Sequence, residues 1–152
     1  MKIIIKRIAI IGLIVFLLIQ LYQPARNLDY GQDITVNFTK VYNVPKNIKT
    51  ILRTSCYDCH SNYPNYPWYS NIQPVRFLME NHIKKGKENL NFNEWGNYSS
   101  RKQNNKLDRI VKEIKSNEMP LSSYTLIHKN AILTPTQKVE IINWINTLKN
   151  EE

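Results

Sequence analysis

The chain has 152 residues, 42% of them hydrophobic, and a formal charge of +9 from 21 Lys plus Arg against 12 Asp plus Glu. That length holds one domain and little more, and the apolar content is ordinary for a globular chain. The lysines are scattered and accompany no nucleic-acid-binding module, so the charge reads as a solvated surface and excludes nucleic acid as a partner.

Lys2, Lys6 and Arg7 precede Ile8 to Ile19, a run without a polar side chain, and Pro24 closes the segment. A basic start followed by an apolar run is the layout of an exported chain. No small-residue cleavage site follows, so residues 1–23 read as an uncleaved anchor, with cleaved secretion as the alternative. The positive-inside rule then places a single-pass helix in the bacterial inner membrane and the rest of the chain in the periplasm. Residues 24–43 show no helical or alternating period beyond an extended piece at Ile34-Thr35-Val36, and read as a tether.

From residue 44 the pattern is helical. Pro45 suits a helix start, and Ile48, Ile51 and Leu52 form an apolar stripe that leads into Cys56-Tyr57-Asp58-Cys59-His60. These are the chain's only two cysteines. Two thiols three apart, with a histidine directly after the second, form the c-type haem attachment pattern. The thiols would add across the two vinyl groups and His60 would ligate the iron as proximal ligand. The same residues admit a thiol–disulfide pair, half a zinc site or a short structural disulfide. No strand–helix alternation, second ligand pair or long loop supports these.

Tyr63 to Trp68 is a proline- and aromatic-rich loop, read as core packing or as a wall over the porphyrin that lowers the dielectric near the iron; Trp68 is the candidate contact. Pro74 starts the next helix and Gly86 ends it, with Phe77 and Leu78 on its apolar side and His82 one turn on. Asn91 caps a short turn anchored by Phe92 and Trp95. Leu107, Ile110, Val111 and Ile114 mark a longer amphipathic helix, with Lys106 among the residues of its wet side. Beyond it lies Met119-Pro120. A thioether is a soft ligand suited to haem iron, and the proline stiffens its loop, so Met119 is the distal candidate. His128 and His82 are the alternatives, and the bland reading of Met119 is a gap-filling core residue. Thr134-Pro135-Thr136-Gln137 combines a cap, a first-turn proline and a capping-box glutamine before a last helix carrying Ile141, Trp144, Ile145 and Leu148. That helix is expected to cross the one leading into Cys56.

Residues from about 44 to 148 resemble the bacterial haem-binding domain family of small, membrane-anchored or exported c-type haem proteins. The resemblance rests on Cys56-Tyr57-Asp58-Cys59-His60-Ser61-Asn62, on Tyr66-Pro67-Trp68-Tyr69-Ser70, and on Leu90-Asn91-Phe92-Asn93-Glu94-Trp95. Glu118-Met119-Pro120, Tyr124, His128, Ala131 and Leu133 follow in order. It implies cofactor contacts from Tyr69 beside Trp68. The order of motifs also resembles a class I cytochrome c, from which the stretch between Trp68 and Trp95 departs.

The expected protein is all-α: a cytochrome c-like helical domain over 44–150, carrying one covalent haem c, behind a transmembrane helix and a tether. With His60 and Met119 both on the iron it would be an electron carrier rather than an enzyme, with lysines steering acidic redox partners. A haem-based sensor or small-ligand binder is the alternative. A haem-free anchored thiol oxidoreductase comes third, since it demands low-pKa thiols.

Overall fold

The computed structural model describes residues 1–29 and 36–150. Most of the extended piece expected at Ile34–Val36 lies outside them. The chain is helical, with no strand among the described residues. Its helices are α1 (Lys2–Ile19), α2 (Phe38–Val41), α3 (Lys46–Ser55), α4 (Tyr57–His60), α5 (Val75–Asn89), α6 (Ser100–Lys115), α7 (Ser122–Thr125) and α8 (Pro135–Asn150). Short 3₁₀ turns lie at Trp68–Asn71, Phe92–Asn97 and Lys129–Ala131.

The core is aromatic at its centre and aliphatic around it. Trp95 is wholly buried, with Phe38 edge-on to it at 4.7 Å and to Phe92 at 5.1 Å; edge-to-face pairs stabilise by roughly 0.5–1.5 kcal/mol beyond area burial. Ile48, Ile51 and Leu52 of α3, Leu107 and Ile114 of α6, and Ile141, Ile145 and Leu148 of α8 enclose this centre. Helix α8 packs on both α3 and α6, as its apolar stripe predicts. Its start is a capping box: the Thr134 N–H donates to Gln137 Oε1 (2.9 Å) and the Gln137 N–H to Thr134 Oγ1 (3.2 Å).

Three expectations about the helices are corrected. The first concerns α1. It is an 18-residue helix with no buried residue, about 27 Å long at 1.5 Å per residue. Its first two turns hold Lys2, Lys6 and Arg7, so the uncharged run from Ile8 to Ile19 covers only about 18 Å of a hydrocarbon layer of roughly 30 Å. Among the described residues no helix is long and apolar enough to cross a membrane, and the expected transmembrane helix is not supported.

The second concerns α5. The helix does not end at Gly86 but continues to Asn89. Its buried residues are Glu80 and Ile83, while Phe77 and Leu78 are 44% and 54% exposed. Glu80 is buried because it binds the N-terminal segment. Its Oε2 accepts from the Asn27 N–H (3.0 Å), Asn27 Nδ2 (2.8 Å) and the Tyr66 hydroxyl (2.8 Å). The third concerns Lys106, which is 9% exposed rather than on the wet face of α6.

The segment expected as a tether carries core packing. Phe38 is 1% exposed. The Gly96 N–H donates to the Val36 carbonyl at 2.8 Å, where a Cβ on Gly96 would stand 3.1 Å from that oxygen. Upstream, Gln20 exchanges hydrogen bonds with the Gln73 backbone (2.9 and 3.3 Å), and Arg76 donates to the Pro24 carbonyl (2.6 and 3.1 Å). Replacing Phe38 with Ala is expected to destabilise the full chain by about 3–5 kcal/mol, read by denaturant unfolding. A loose tether would leave the midpoint where it was.

Candidate functional site

The two cysteines and His60 are brought together by one helical turn. The Cys59 and His60 N–H groups donate to the Cys56 carbonyl (3.1 and 3.0 Å), and the Cys56 N–H caps α3 by donating to the Leu52 carbonyl (3.0 Å). The stripe of α3 that enters the core therefore also sets where this turn begins.

Helix α5 lies directly against the turn, and Gly86 is the point of contact. A Cβ there would stand 2.5 Å from the Cys59 carbonyl oxygen. The close approach lets α5 and the residue after it hold His60, whose Nδ1 lies 3.0 Å from both the Gly86 and the Leu90 carbonyl oxygens. Carbonyls only accept, so Nδ1 carries the proton and Nε2 is the nitrogen left with a lone pair. Burial, aided by nearby Lys106, lowers the His60 pKa below its ordinary value, although the two carbonyls oppose the shift. The ring is a neutral imidazole at pH 7, with its outer nitrogen fixed as a ligating histidine requires.

Cys56 and Cys59 are both free thiols. Burial, then the neighbouring Cys59, pushes Cys56 up to about 12; burial, then Asp58, pushes Cys59 up to about 11. Both are protonated at neutral pH. A redox dithiol needs the opposite environment, one that favours the thiolate.

A cavity of about 400 Å³ runs between α5 and α6, with Cys56, Cys59, His60 and Met119 on its walls. Met119 is placed by a tight chain reversal. Helix α6 ends at Lys115, Asn117 takes a positive φ of 61°, and the N–H groups of Glu118 and Met119 both donate to the Glu113 carbonyl (3.0 and 3.2 Å). His82 lines the same cavity. His128 does not. It lies on a second cavity of about 200 Å³, where its Nε2 is bonded to the Tyr69 hydroxyl and its ring stacks on Tyr124 at 4.2 Å. Tyr124 donates in turn to Asp58 Oδ2 at 2.6 Å, with burial and this bond raising its pKa. Tyr69 lines the second cavity, and Trp68 is 75% exposed and lines neither.

The structure thus gathers four of the sequence-predicted residues, Cys56, Cys59, His60 and Met119, on one cavity; Tyr69 and His128 lie on the second, which shares Cys59 and His82 with the first, and Trp68 lines neither. Sequence reasoning missed Gly86 and the Leu90 carbonyl as holders of His60, because backbone groups leave no residue signature and a glycine in a helical run reads as a terminator. It gave no role to Asp58 and Tyr124, which it met only as members of the family pattern. Among the described residues no three His, Cys, Asp or Glu side chains converge to hold a metal ion by themselves. The donor set of two protonated thiols, a neutral imidazole and a thioether around one largely apolar cavity suits a metal that arrives inside a macrocycle.

Comparison with known proteins agrees. The haem-binding domain family matches the chain over residues 14–147. No curated protein and no solved structure matches it.

Gly86→Ala provides a local test. In an open helix this change stabilises by up to about 1 kcal/mol. Here the methyl group meets a backbone oxygen, and the expected result is a loss of roughly 1–3 kcal/mol together with reduced haem content, checked by thermal unfolding and absorbance. An equal or higher midpoint with full haem content would show that the α5 contact is not what holds the turn.

Proposed function

Because the chain belongs to the haem-binding domain family, we propose that it is a monohaem c-type electron carrier, with haem joined to Cys56 and Cys59 and ligated by His60 and Met119. The observation that supports this most is that these four side chains line one cavity. The bound group supplies a one-electron iron couple. The chain's residues supply the rest. Cys56 and Cys59 present thiols for two thioether links three residues apart. The Gly86 and Leu90 carbonyls orient His60 and keep its tautomer. The Glu113 carbonyl fixes the loop that offers the Met119 sulfur. Phe92, 2% exposed and edge-on to His60 at 6.5 Å, keeps water from the imidazole.

A carrier whose haem iron would take both His60 and Met119 as ligands would exchange electrons rather than substrates, which is why we read it as a non-enzyme. The basic start of α1 and its exposed apolar surface support residence at the periplasmic face of the bacterial inner membrane. The net positive charge favours acidic redox partners.

The test is a denatured, reduced pyridine spectrum of protein made with c-type maturation machinery. A band typical of two thioether links supports the attachment; a colourless protein with two titratable thiols overturns it. Met119→Ala is expected to lower the reduction potential and open the iron to carbon monoxide, with His82→Ala leaving both unchanged. The reverse pattern would move the distal role to His82. Carbon monoxide binding by the unaltered ferrous protein would replace electron transfer with ligand sensing.

A further inference from the structure

The wall of the larger cavity carries positive charge without matching negative charge. Four charged side chains line it: Lys85 of α5, and Lys106, Arg109 and Glu113 of α6. Three are cations, so the wall holds a net +2. Lys85 and Arg109 line the cavity yet are exposed, which puts them at its rim. Lys106 is 9% exposed, over the Tyr98 ring at 4.6 Å, with its Nζ donating to the Asn89 carbonyl. Among the described residues Lys149 and Asp108 form an ion pair, and none involves Lys85, Lys106 or Arg109. Burial, followed by repulsion from Lys102 and Arg109, lowers the Lys106 pKa.

Buried ammonium groups are rare unless paired, because desolvation costs several kcal/mol per ion, roughly, without a counter-charge. Here Lys106, partnered by a neutral carbonyl and a ring, shares with Lys85 and Arg109 the wall of a mostly apolar cavity whose lining includes Leu90, Phe92, Ile110 and Leu133. A ligand that satisfies such a wall is a flat apolar body with carboxylates at one edge. We infer that Lys85, Lys106 and Arg109 form a carboxylate clamp that receives the propionate side chains of haem in this cavity. The inference rests on the haem reading above and deepens it by assigning residues to the acidic edge of the cofactor. Arg109 contributes a planar fork that matches a carboxylate, and the two lysines contribute point charges. Lys106 is the positioning member, because its bond to the Asn89 carbonyl ties α6 to the end of α5.

The clamp is testable in the full-length holoprotein through the pH dependence of its reduction potential. The other titratable groups on the wall are His60, His82, Glu113 and Tyr124, with the two cysteines; all of them stay in place in the variants. A cation beside a carboxylate lowers its pKa by about 1–3 units. Lys85→Gln/Arg109→Gln is therefore expected to lower the potential and move the propionate-linked inflection up by about one pH unit. The control is Lys112→Gln/Lys115→Gln, which removes the same charge from α6 at positions off the cavity. Lys106→Met should move the inflection in the same direction, while the rim pair keeps the test valid if Lys106→Met fails to fold. An inflection and potential equal to those of the control would overturn the clamp while leaving haem attachment intact. Protein purified without haem would overturn the haem reading, and the clamp with it.

Discussion

The site depends on how closely α5 approaches the turn that carries the cysteines. A helix can lie against a neighbouring backbone at this distance only where it has no Cβ, and Gly86 supplies that gap. From the same position its carbonyl takes one of the two contacts to His60 Nδ1, and the Leu90 carbonyl, just beyond the helix, takes the other. Separation of the helices by a methyl group would lengthen both. The tautomer of the imidazole and the close seat of the cysteine turn against α5 follow from this contact. Each hydrogen bond contributes only about 0.5–1.5 kcal/mol net; its larger effect is on which nitrogen of His60 faces the cavity chemistry.

The electrostatics of the site are set by burial more than by partners. Desolvation leads the causes for both thiols, for His60 and for Lys106. It favours the neutral form of each and suits a site meant to accept a large apolar group. The thiols are held protonated and the imidazole unprotonated, which separates this arrangement from a dithiol redox centre despite the shared Cys-x-x-Cys spacing. The second cavity is built differently. There Tyr69, His128, Tyr124 and Asp58 satisfy one another in a chain of hydrogen bonds and one ring stack, which leaves His128 committed away from Met119.

Much of the fold was legible in the sequence. Periodicity located α3, α6 and α8, and the capping box at Thr134 fixed the start of α8 to the residue. Cys56, Cys59, His60 and Met119 stood out because their chemistry is rare and their spacing specific, and the fold brings them to one cavity; their roles there belong to the proposal. What failed was information carried by the backbone or by distant partners. Gly86 was read by its propensity, yet the approach of another segment decided its role. Phe77 and Leu78 were assigned inward on local pattern, whereas the buried face of α5 is set by Glu80, whose partners lie more than fifty residues earlier at Asn27 and nearby at Tyr66. Lys106 was placed in solvent because it is a lysine, and only the fold shows Tyr98 and Asn89 around it. The family resemblance supported the cofactor class and left these placements untouched.

The bonds that join Gln20, Tyr22 and Pro24 to Gln73 and Arg76 give α1 a fixed heading. A flexible linker would let the haem cavity swing freely about its attachment, sampling partners by diffusion. A lever clamped at its base instead presents one side of the domain at a set angle to whatever α1 lies against. For a redox partner of the proposed carrier, encounter would then depend on orientation, and one on the wrong side would be out of reach however high its local concentration.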